Sequence, residues 1–458
     1  MKRVLGTKVR LVVCTAINAL LLMTAPSALT FAQARGDSSA LPPPQYQIFD
    51  IGVVLMADTA SQGFGVSPTG GVAVGRSIRT GGSSAFSWTQ AGGIVGLPNI
   101  ADRAFCVSNS ANGTGTVVGT CATTLFGSSR LPIVWQNGVV SQLTLPDGQT
   151  LGDANDVNSS GVAVGSVNSG SAQRAAIYNS STGTIISQTT SNGSFFVTAF
   201  GVNDAGRVVG QGIDPTNAAR NVGMVFDIGS TAAFEVGALP AANGALAFGV
   251  SNAGHVVGSS MMNQGSGLPF IWTQAGGMVA IPLPTGTTSA SARGVNSGGW
   301  AVGTASSAFA IPFLYDGTSS YRLADLIPSG TGWDLSMNTS SSALGISDAG
   351  VIVGTGVLNG QVHAYAMVPV ASNVSVGGRI LTAGGLPIRN AIVSISGGNL
   401  PNGIKVQTGS FGTYSFAGLG SGQTYTISVA ARRNTFAQPT RMITPQANVT
   451  DFDFIAEP

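Results

Sequence analysis

The side chains able to do metal or acid–base chemistry are few and scattered. The chain has two histidines, His255 and His363, and 18 acidic residues among 458. Because the two histidines fall in different copies of a repeated pattern, we expect no histidine-based metal site. Asp153 and Asp156 lie near two asparagines, but no copy keeps the acidic spacing or the closing glutamate of a calcium loop. The sequence therefore predicts no metal, no cofactor and no catalytic group.

Three side chains are candidates for ligand binding. Arg207, His255 and Trp300 occupy the same variable position of the repeated hairpin, where other copies carry Val162 and Val351. The alternative is an exposed side chain at a strand edge, which needs no ligand.

The two cysteines that follow the amino-terminal segment are Cys106 and Cys121. In an exported chain such a pair favours a disulfide. Both fall in one predicted hairpin, which we interpret as having a longer loop from Asn109 to Gly115. Matching this hairpin to its sisters then places the cysteines about four residues out of register. The sequence leaves open whether they are bridged.

Composition excludes several classes of protein. Charged residues make up 8% of the chain and hydrophobic residues 43%, whereas a typical soluble domain is about 25% charged. So few charges rule out a nucleic-acid binder, a coiled coil and a charged disordered chain. The 65 glycines show no three-residue period, which excludes collagen. We expect a large apolar core.

The first 34 residues have the pattern of an export signal. Basic residues up to Arg10 precede an apolar run from 11 to 23, and Ala32-Gln33-Ala34 fits a cleavage site. We expect a signal peptide over 1–34, a linker over 35–44, and a mature chain that is secreted, cell-surface or periplasmic and has no membrane span. An uncleaved membrane anchor is the alternative. Cleavage leaves 16 basic and 18 acidic residues, a balance that attracts neither nucleic acid nor anionic lipid.

A ten-residue pattern recurs seven times, most clearly in Gly201-Val-Asn-Asp-Ala-Gly-Arg-Val-Val-Gly210. The seven copies close on glycines spaced 44 to 51 residues apart, namely Gly75, Gly119, Gly165, Gly210, Gly258, Gly303 and Gly354. Asparagine at the first turn position and glycine at the fourth are typical of a type I turn followed by a residue with positive φ. Each copy is therefore predicted to be a tight antiparallel hairpin.

Each copy continues with two more strands. An aromatic residue follows each closing glycine by 11 to 16 positions, namely Trp88, Trp135, Tyr178, Phe226, Trp272, Tyr315 and Tyr365. We expect these rings to pack between neighbouring repeats. A turn and a fourth strand follow, as in Met278–Leu283. One repeat is thus four strands in about 45 residues, the size of a propeller blade.

The two ends of the array indicate closure. The seventh copy lacks a fourth strand, while an orphan strand, Tyr46–Val53, precedes the first copy. If that strand completes the last sheet, both sheet edges are hidden, whereas an open solenoid leaves them exposed. The sequence predicts an all-β fold with a seven-bladed β-propeller over residues 45–370, closed by the amino-terminal strand.

These residues also resemble a known family. The hairpin pattern, followed in the last copy by His363-Ala364-Tyr365, resembles the HAF-type extracellular repeat of bacterial secreted proteins. The match covers all seven copies and departs at the histidine, where Leu268 and Ile311 stand in two others. The resemblance implies export and a propeller-like array, and it supplies no catalytic residues.

A second domain is predicted over residues 374–458, where the glycine ladder stops. Alternating strands with glycine and proline turns predict a small antiparallel, Ig-like β-sandwich. Gly412-Thr-Tyr-Ser-Phe416 and Tyr425–Val429 make the segment similar to the carboxypeptidase regulatory-like family, with its transthyretin-like sandwich. That resemblance implies an accessory module without peptidase activity, some of whose relatives hold carbohydrate. Gly409 stands where the family usually has an acidic residue.

Three functions fit these features. The leading hypothesis is an exported, non-catalytic binding or surface protein whose propeller is an interaction scaffold and whose sandwich is an accessory adhesion or carbohydrate-contact module. Its partner would be an extracellular glycan or a surface protein. The alternatives are an extracellular glycan-active enzyme on a propeller scaffold and a purely structural envelope or matrix component. Acidic residues are too few and scattered to nominate a catalytic pair.

Overall fold

The computed structural model describes residues 43–124, 129–169, 172–262, 267–370, 373–398, 400–445 and 447–458. These ranges contain 36 β-strands and one 3₁₀ turn, so the all-β prediction is confirmed. Within them, no helix is long and apolar enough to cross a membrane. The predicted signal peptide lies outside the described residues, as does the predicted linker up to residue 42.

Residues 46–369 form 29 short strands. The amino-terminal strand and the first three repeats comprise β1 (Tyr46–Asp50), β2 (Ala60–Val66), β3 (Ala73–Arg79), β4 (Gly82–Thr89), β5 (Gly93–Gly96), β6 (Phe105–Ala111), β7 (Val117–Ala122), β8 (Leu131–Gln136), β9 (Val139–Gln142), β10 (Gly152–Val157), β11 (Ala163–Ser169), β12 (Ala172–Tyr178) and β13 (Gly183–Ile185). The remaining repeats comprise β14 (Phe195–Val202), β15 (Arg207–Asp214), β16 (Asn217–Asp227), β17 (Phe234–Glu235), β18 (Gly244–Val250), β19 (Val256–Met261), β20 (Gly267–Thr273), β21 (Gly277–Ala280), β22 (Ser289–Val295), β23 (Ala301–Ser306), β24 (Ala310–Tyr315), β25 (Ser320–Arg322), β26 (Trp333–Asp334), β27 (Ser342–Ile346), β28 (Ile352–Leu358) and β29 (Gln361–Pro369). The 3₁₀ turn is Leu323–Leu326, directly after β25.

In the first six repeats, strands pair antiparallel with their neighbours in the chain, in the order that four-stranded repeats require. In the seventh, β26 and β27 both pair with β28. The first two repeats also share one parallel pairing, Ser83 with Phe105, which joins their strands into a single eight-stranded sheet. We call the first hairpin strand of each repeat its inner strand; the inner strands are β2, β6, β10, β14, β18, β22 and β27.

The amino-terminal strand completes the last sheet, as the sequence predicted. β1 pairs antiparallel with β29, with Tyr46 opposite Pro369 and Asp50 opposite Tyr365. The strand ends at Asp50 rather than at Val53. Tyr46 is fully buried in a core cluster of the sixth and seventh repeats, so β1 contributes to the hydrophobic core as well as to the ladder.

The second hairpin has the same turn as its sisters, and the longer loop expected from Asn109 to Gly115 is wrong. Asn112 donates its backbone N–H to Thr116 O at 3.0 Å, as the equivalent turn residues of other repeats do. With this register Cys106 lies directly opposite Cys121, and the two form a disulfide. The expected offset of about four residues arose from the misplaced turn.

A β-bulge interrupts every inner strand just before the hairpin turn. Next to it, the two strands approach so closely that the closing glycine has no room for a side chain. A Cβ on Gly210 would lie 2.0 Å from Thr198 O, and the other six closing glycines meet inner-strand carbonyls at 1.9–2.0 Å. The spacing of these glycines along the chain is therefore a steric requirement of the bulge.

The predicted aromatic residues pack between repeats, which confirms that expectation. All seven are buried, and each belongs to a core cluster shared with a neighbouring repeat. Trp135, for example, packs with Val74 and Ala85 of the first repeat, and Trp88 with Val353 of the seventh. Tyr365 differs in register, since it lies opposite the closing glycine Gly354. Apolar cores therefore join each repeat to the next and the last to the first.

Residues from 373 onward form two sheets around a separate core. Their strands are β30 (Asn373–Leu381), β31 (Ile392–Gly397), β32 (Leu400–Gln407), β33 (Thr413–Gly420), β34 (Tyr425–Ala430), β35 (Thr440–Ile443) and β36 (Phe454–Ile455). The sheet orders are β33-β30-β36 and β32-β31-β34-β35. The expectation of a wholly antiparallel sandwich is wrong, because β36 pairs parallel with β30. β32 and β35 were not predicted.

A methyl group at a closing glycine is expected to destabilise the fold. Gly210→Ala places its Cβ against a backbone carbonyl that no rotamer change can move, and we expect a loss of at least about 2 kcal/mol. Gly113→Ala is the matched control, since its nearest neighbour is a Thr69 methyl at 3.7 Å. Urea unfolding of both variants measures the difference, and equal midpoints would contradict the steric argument.

Candidate functional site

Asparagine side chains link four pairs of neighbouring hairpin turns by hydrogen bonds. The first turn residue accepts the N–H of the residue four positions later (five in the first repeat), as Asn203 Oδ1 does from Arg207 at 2.8 Å. Where that residue is asparagine, its amide also donates to the backbone carbonyl of the next turn, in the pairs Asn112–Asn158, Asn158–Asn203, Asn203–Ser251 and Asn296–Ser347. Three repeats have serine instead, which has no amide to donate.

The first and seventh turns are also connected directly. Asp348 donates its backbone N–H to Pro68 O at 2.9 Å. Further along the same two repeats, Gly63 N–H donates to Thr355 Oγ1 at 3.3 Å and Ala364 N–H donates to Ser61 Oγ at 2.9 Å. Hydrogen bonds therefore connect the first and seventh repeats at several points.

The bulges place one residue of every repeat on the wall of a shared cavity, which we call the inner cavity. The extra residue of each bulge belongs to its lining. These bulge residues are Phe64, Asn109, Asn155, Phe200, Phe248, Arg293 and Leu344. Bulges commonly redirect a side chain in this way. Four of the seven are apolar, two are amides and one is a cation.

The inner cavity continues toward both ends of the inner strands. Its middle section has a volume of about 340 Å³. A section of about 120 Å³ at the turn end shares Val66, Ser110 and Asp156 with it, and one of about 370 Å³ at the opposite end shares Asn109, Asn155 and Phe200. The middle section lies within the size range of small-molecule sites.

Charge is distributed unevenly along the inner cavity. The turn end is lined by three carboxylates, Asp156, Asp204 and Asp348. The opposite end is lined by Arg76 and by Arg130, which is 3.3 Å from Asp153. An anion is therefore attracted to the end opposite the turns and repelled from the turn end.

Aromatic rings support the two cavity arginines that have no carboxylate partner within the described residues. The guanidinium of Arg293 lies 3.8 Å from the ring centroid of Phe248, whose ring is 5.4 Å from that of Phe200. Arg76 lies 5.8 Å from the Phe64 ring and donates to Gln62 Oε1 at 2.9 Å. Both stacks are cation–π contacts that hold the guanidinium in place without neutralising it.

Asp156 joins three repeats at the cavity wall. Its carboxylate accepts hydrogen bonds from Ser110 Oγ at 2.6 Å, from Val157 N–H at 2.9 Å and from Val202 N–H at 2.8 Å. Burial raises the pKa of Asp156 to about 6, against these hydrogen bonds, which favour the ionised form. The nearby Asp204 adds to the increase.

The three residues nominated from the sequence lie at equivalent positions but outside the inner cavity. Each leans on the positive-φ glycine of the next turn: a Cβ there would be 3.8 Å from Arg207, 3.6 Å from His255 and 4.0 Å from Trp300. Arg207 is further held by Asp227, at 2.8 and 2.9 Å. The structure gives all three a role in packing one turn against the next.

None of the bulge residues was predicted from the sequence as a binding residue, although the sequence carries a signal for them. Each stands between two small or short residues directly before the hairpin, as in Ala199-Phe200-Gly201 and Ala292-Arg293-Gly294. The flanking residues are glycine, alanine or serine in every copy except at Asp156, while the central one changes. A residue that varies between nearly constant neighbours indicates a position whose side chain is not required for packing.

The histidines are placed apart. His255 Nδ1 is 3.3 Å from Ser251 Oγ, whereas His363 Nδ1 is 2.9 Å from Asp50 Oδ1 on β1. Among the residues that the structure describes, no three His, Cys, Asp or Glu side chains are grouped to hold a metal ion.

Comparison with known proteins gives only distant likenesses. No protein-family model matches the chain, and no curated protein matches it. The fold is similar to TolB from Acinetobacter baumannii (8% identity, TM-score 0.39, covering 66% of this chain and 65% of TolB). It is also similar to oligogalacturonate lyase in complex with manganese (10%, 0.44, 72% and 97%) and to Trypanosoma rangeli sialidase (9%, 0.36, 88% and 89%). The match spans slightly less than two thirds of TolB, and likeness this distant carries no inference about ligand or activity.

The raised pKa of Asp156 makes its contribution to stability depend on pH. Since the folded-state pKa of about 6 is above the unfolded value, the contribution is full below about pH 4 and is lost as the pH rises through 6. Asp156→Asn removes this dependence but also loses an acceptor for Val202 N–H. We expect the variant to have a lower free energy of unfolding than wild type at both pH values. The gap between the two proteins should be ~2 kcal/mol larger at pH 4.5 than at pH 7.5. Urea unfolding at both pH values checks this, and a pH-independent difference would refute it.

Proposed function

We propose that the seven repeats are the blades of a closed β-propeller and that the protein is an exported, non-catalytic binding protein. Closure is supported by the pairing of β1 with β29 and by the bonds between the first and seventh repeats. Export rests on the residues 1–34 and on the resemblance to HAF-type extracellular repeats. In this proposal the propeller is a rigid scaffold that presents the inner cavity to a partner.

The observation that carries the binding proposal is the chemical variety of the bulge residues. The turns, closing glycines and buried aromatics repeat with little change because packing requires them. The bulge position instead takes phenylalanine, asparagine, arginine and leucine, and it faces a cavity large enough for a ligand. Such variety on an otherwise regular wall favours recognition over a purely structural role.

A non-catalytic role is supported by the state of Asp153 and Asp156, two of the four carboxylates that line the inner cavity. Asp156 accepts three hydrogen bonds, and Asp153 is held by Arg130 and by Ser166 Oγ at 2.8 Å. A glycosidase acid–base pair needs two carboxyl groups directed at the substrate. Both of these are directed at the protein itself.

We propose that residues 374–458 are a transthyretin-like accessory module of the carboxypeptidase regulatory-like type. Two loops of this module bring apolar side chains to the surface, since Leu386 and Phe411 are 68% and 73% exposed. Their loops are in contact, because a Cβ on Gly412 would lie 3.2 Å from Pro387 Cβ. Exposed apolar side chains on adjoining loops support an adhesion or carbohydrate-contact role.

Closure predicts a specific pattern of stability at Tyr46. Tyr46→Ala removes a fully buried ring from the junction of the two chain ends, and we expect a loss of about 3–5 kcal/mol. Tyr46→Phe is the control, because within the described residues the buried hydroxyl has no hydrogen-bond partner. The free energy of unfolding of Tyr46→Phe should equal that of wild type or exceed it by about 1 kcal/mol. Denaturant unfolding of residues 35–458 measures both.

If β1 instead adds little, Tyr46→Ala will leave the unfolding midpoint unchanged, and the closed propeller fails. A chain that begins at Gly52, and therefore lacks β1, provides a second test of closure. It should expose the edge of β29 and self-associate in size-exclusion chromatography, whereas a chain that begins at Pro43 should stay monodisperse.

The binding function is tested with a glycan array and product analysis on residues 35–458. We expect retention of a defined set of extracellular glycans without release of shortened sugars. Leu386→Ser with Phe411→Ser should reduce retention if the accessory module makes the contact, and Ile455→Ser, at a site 62% exposed elsewhere in the module, is the matched control. Shortened products would favour the enzyme, and no retention of any glycan or surface protein would favour the structural role.

A further inference from the structure

Arg293 is the charged group in the middle section of the inner cavity that no opposite charge satisfies. Its side chain is exposed to the cavity, and within the described residues it forms no ion pair. By contrast, Arg207 and Arg220 are paired with carboxylates at 2.7–2.9 Å. A guanidinium presents a planar, two-pronged donor that fits a carboxylate, so its two-pronged side is available to a ligand.

The wall beside Arg293 is aromatic. Phe248 and Phe200 come from the two preceding repeats, and their rings are tilted by 50° to one another. Tilted and offset rings leave edges and faces against which a third ring packs favourably, by about 0.5–1.5 kcal/mol beyond its buried area. Apolar bulge residues of the first and seventh repeats, Phe64 and Leu344, belong to the same lining.

The two amides of the bulge ring are already committed to the protein. Asn109 Nδ2 donates to Ala154 O and Asn155 Nδ2 donates to Ala199 O, both at 2.8 Å. Their donor groups therefore bind neighbouring repeats, and they add little to ligand selection. The chemistry left for a ligand is one cation beside an aromatic surface.

We infer that the inner cavity binds a small aromatic monocarboxylate, whose carboxylate pairs with Arg293 and whose ring packs against Phe248 and Phe200. The inference rests on the proposed binding function and assigns a ligand class to the inner cavity. The ligand approaches from the end lined by Arg76 and Arg130, where the potential attracts it. A second negative charge is disfavoured, because Asp156 lines the same section.

Binding is measured by isothermal titration and ligand-observed NMR on residues 35–458. The probes are benzoate, 4-hydroxybenzoate, phenylacetate and indole-3-acetate, each paired with its uncharged amide, and cyclohexanecarboxylate as the non-aromatic acid. We expect at least one aromatic acid to bind at least tenfold more tightly than its amide, a difference of about 1.4 kcal/mol. Cyclohexanecarboxylate should bind more weakly than benzoate.

Variants locate the site. Arg293→Met keeps a long side chain over Phe248 and should weaken binding of the acid at least tenfold while leaving the amide unchanged. Phe248→Leu should weaken acid and amide alike. Arg433→Met makes the same charge change at an exposed site of the carboxy-terminal module and should have no effect. Thermal unfolding of each variant confirms that it is folded.

The inference is overturned if none of the aromatic acids binds, if the amides bind equally well, or if Arg293→Met binds like wild type. These outcomes are separable from failure of the proposed function. A protein that retains glycans on the array but ignores the acids loses only the ligand class. One that binds neither loses both.

Discussion

The fold depends on one close approach between two backbones. At each bulge the carbonyl of the inner strand occupies the space in which any other residue would carry its Cβ, as Thr198 O does beside Gly210. In four repeats the ring of an opposing aromatic residue, such as Phe270 or Phe313, presses on the same spot. Glycine is thus the residue that lets the hairpin close, the ring pack and the bulge residue turn inward at once. Losing it disturbs the core and the cavity wall together.

Much of the architecture could be predicted because the residues that packing requires recur in every repeat. Closing glycines, turn chemistry and buried aromatics recur at a fixed spacing, and they identified the hairpins and the strand pairing of β1 with β29. The prediction of the second hairpin was wrong because Ser110 and Ala111 replace the glycine and valine of most other copies, so its turn was misplaced and the cysteines with it. In the carboxy-terminal module, alternation cannot tell parallel from antiparallel pairing, and the proline and glycine of Leu400–Gln407 hid a strand.

The cavity wall was harder to predict for a physical reason. A bulge adds one residue to a strand and so reverses the alternation of faces beyond it. Read as a regular strand, the segment around Phe200 assigns that ring to the wrong side. The sequence instead predicts ligand binding at the position after the turn, because that position varies between copies, as Arg207, His255 and Trp300 show. Variation identified both positions, but only three-dimensional structure separates a side chain that leans on the next turn from one that faces an open cavity.

The turns also make the joints between repeats unequal. At four of the joints an asparagine side chain donates a hydrogen bond to the next turn. At the other three the turn residue is serine, and this hydrogen bond is absent. Two of these three have substitutes, the shared strand pairing of Ser83 with Phe105 and the backbone bonds between the ends of the array. The joint after Ser251 has instead the apolar core shared by the two repeats, the stacking of Arg293 on Phe248 and a hydrogen bond from Ser259 Oγ to Ala290 O at 3.4 Å. We expect local opening of the structure to begin at this joint, because within the described residues it has neither an asparagine hydrogen bond between turns nor a strand pairing between repeats.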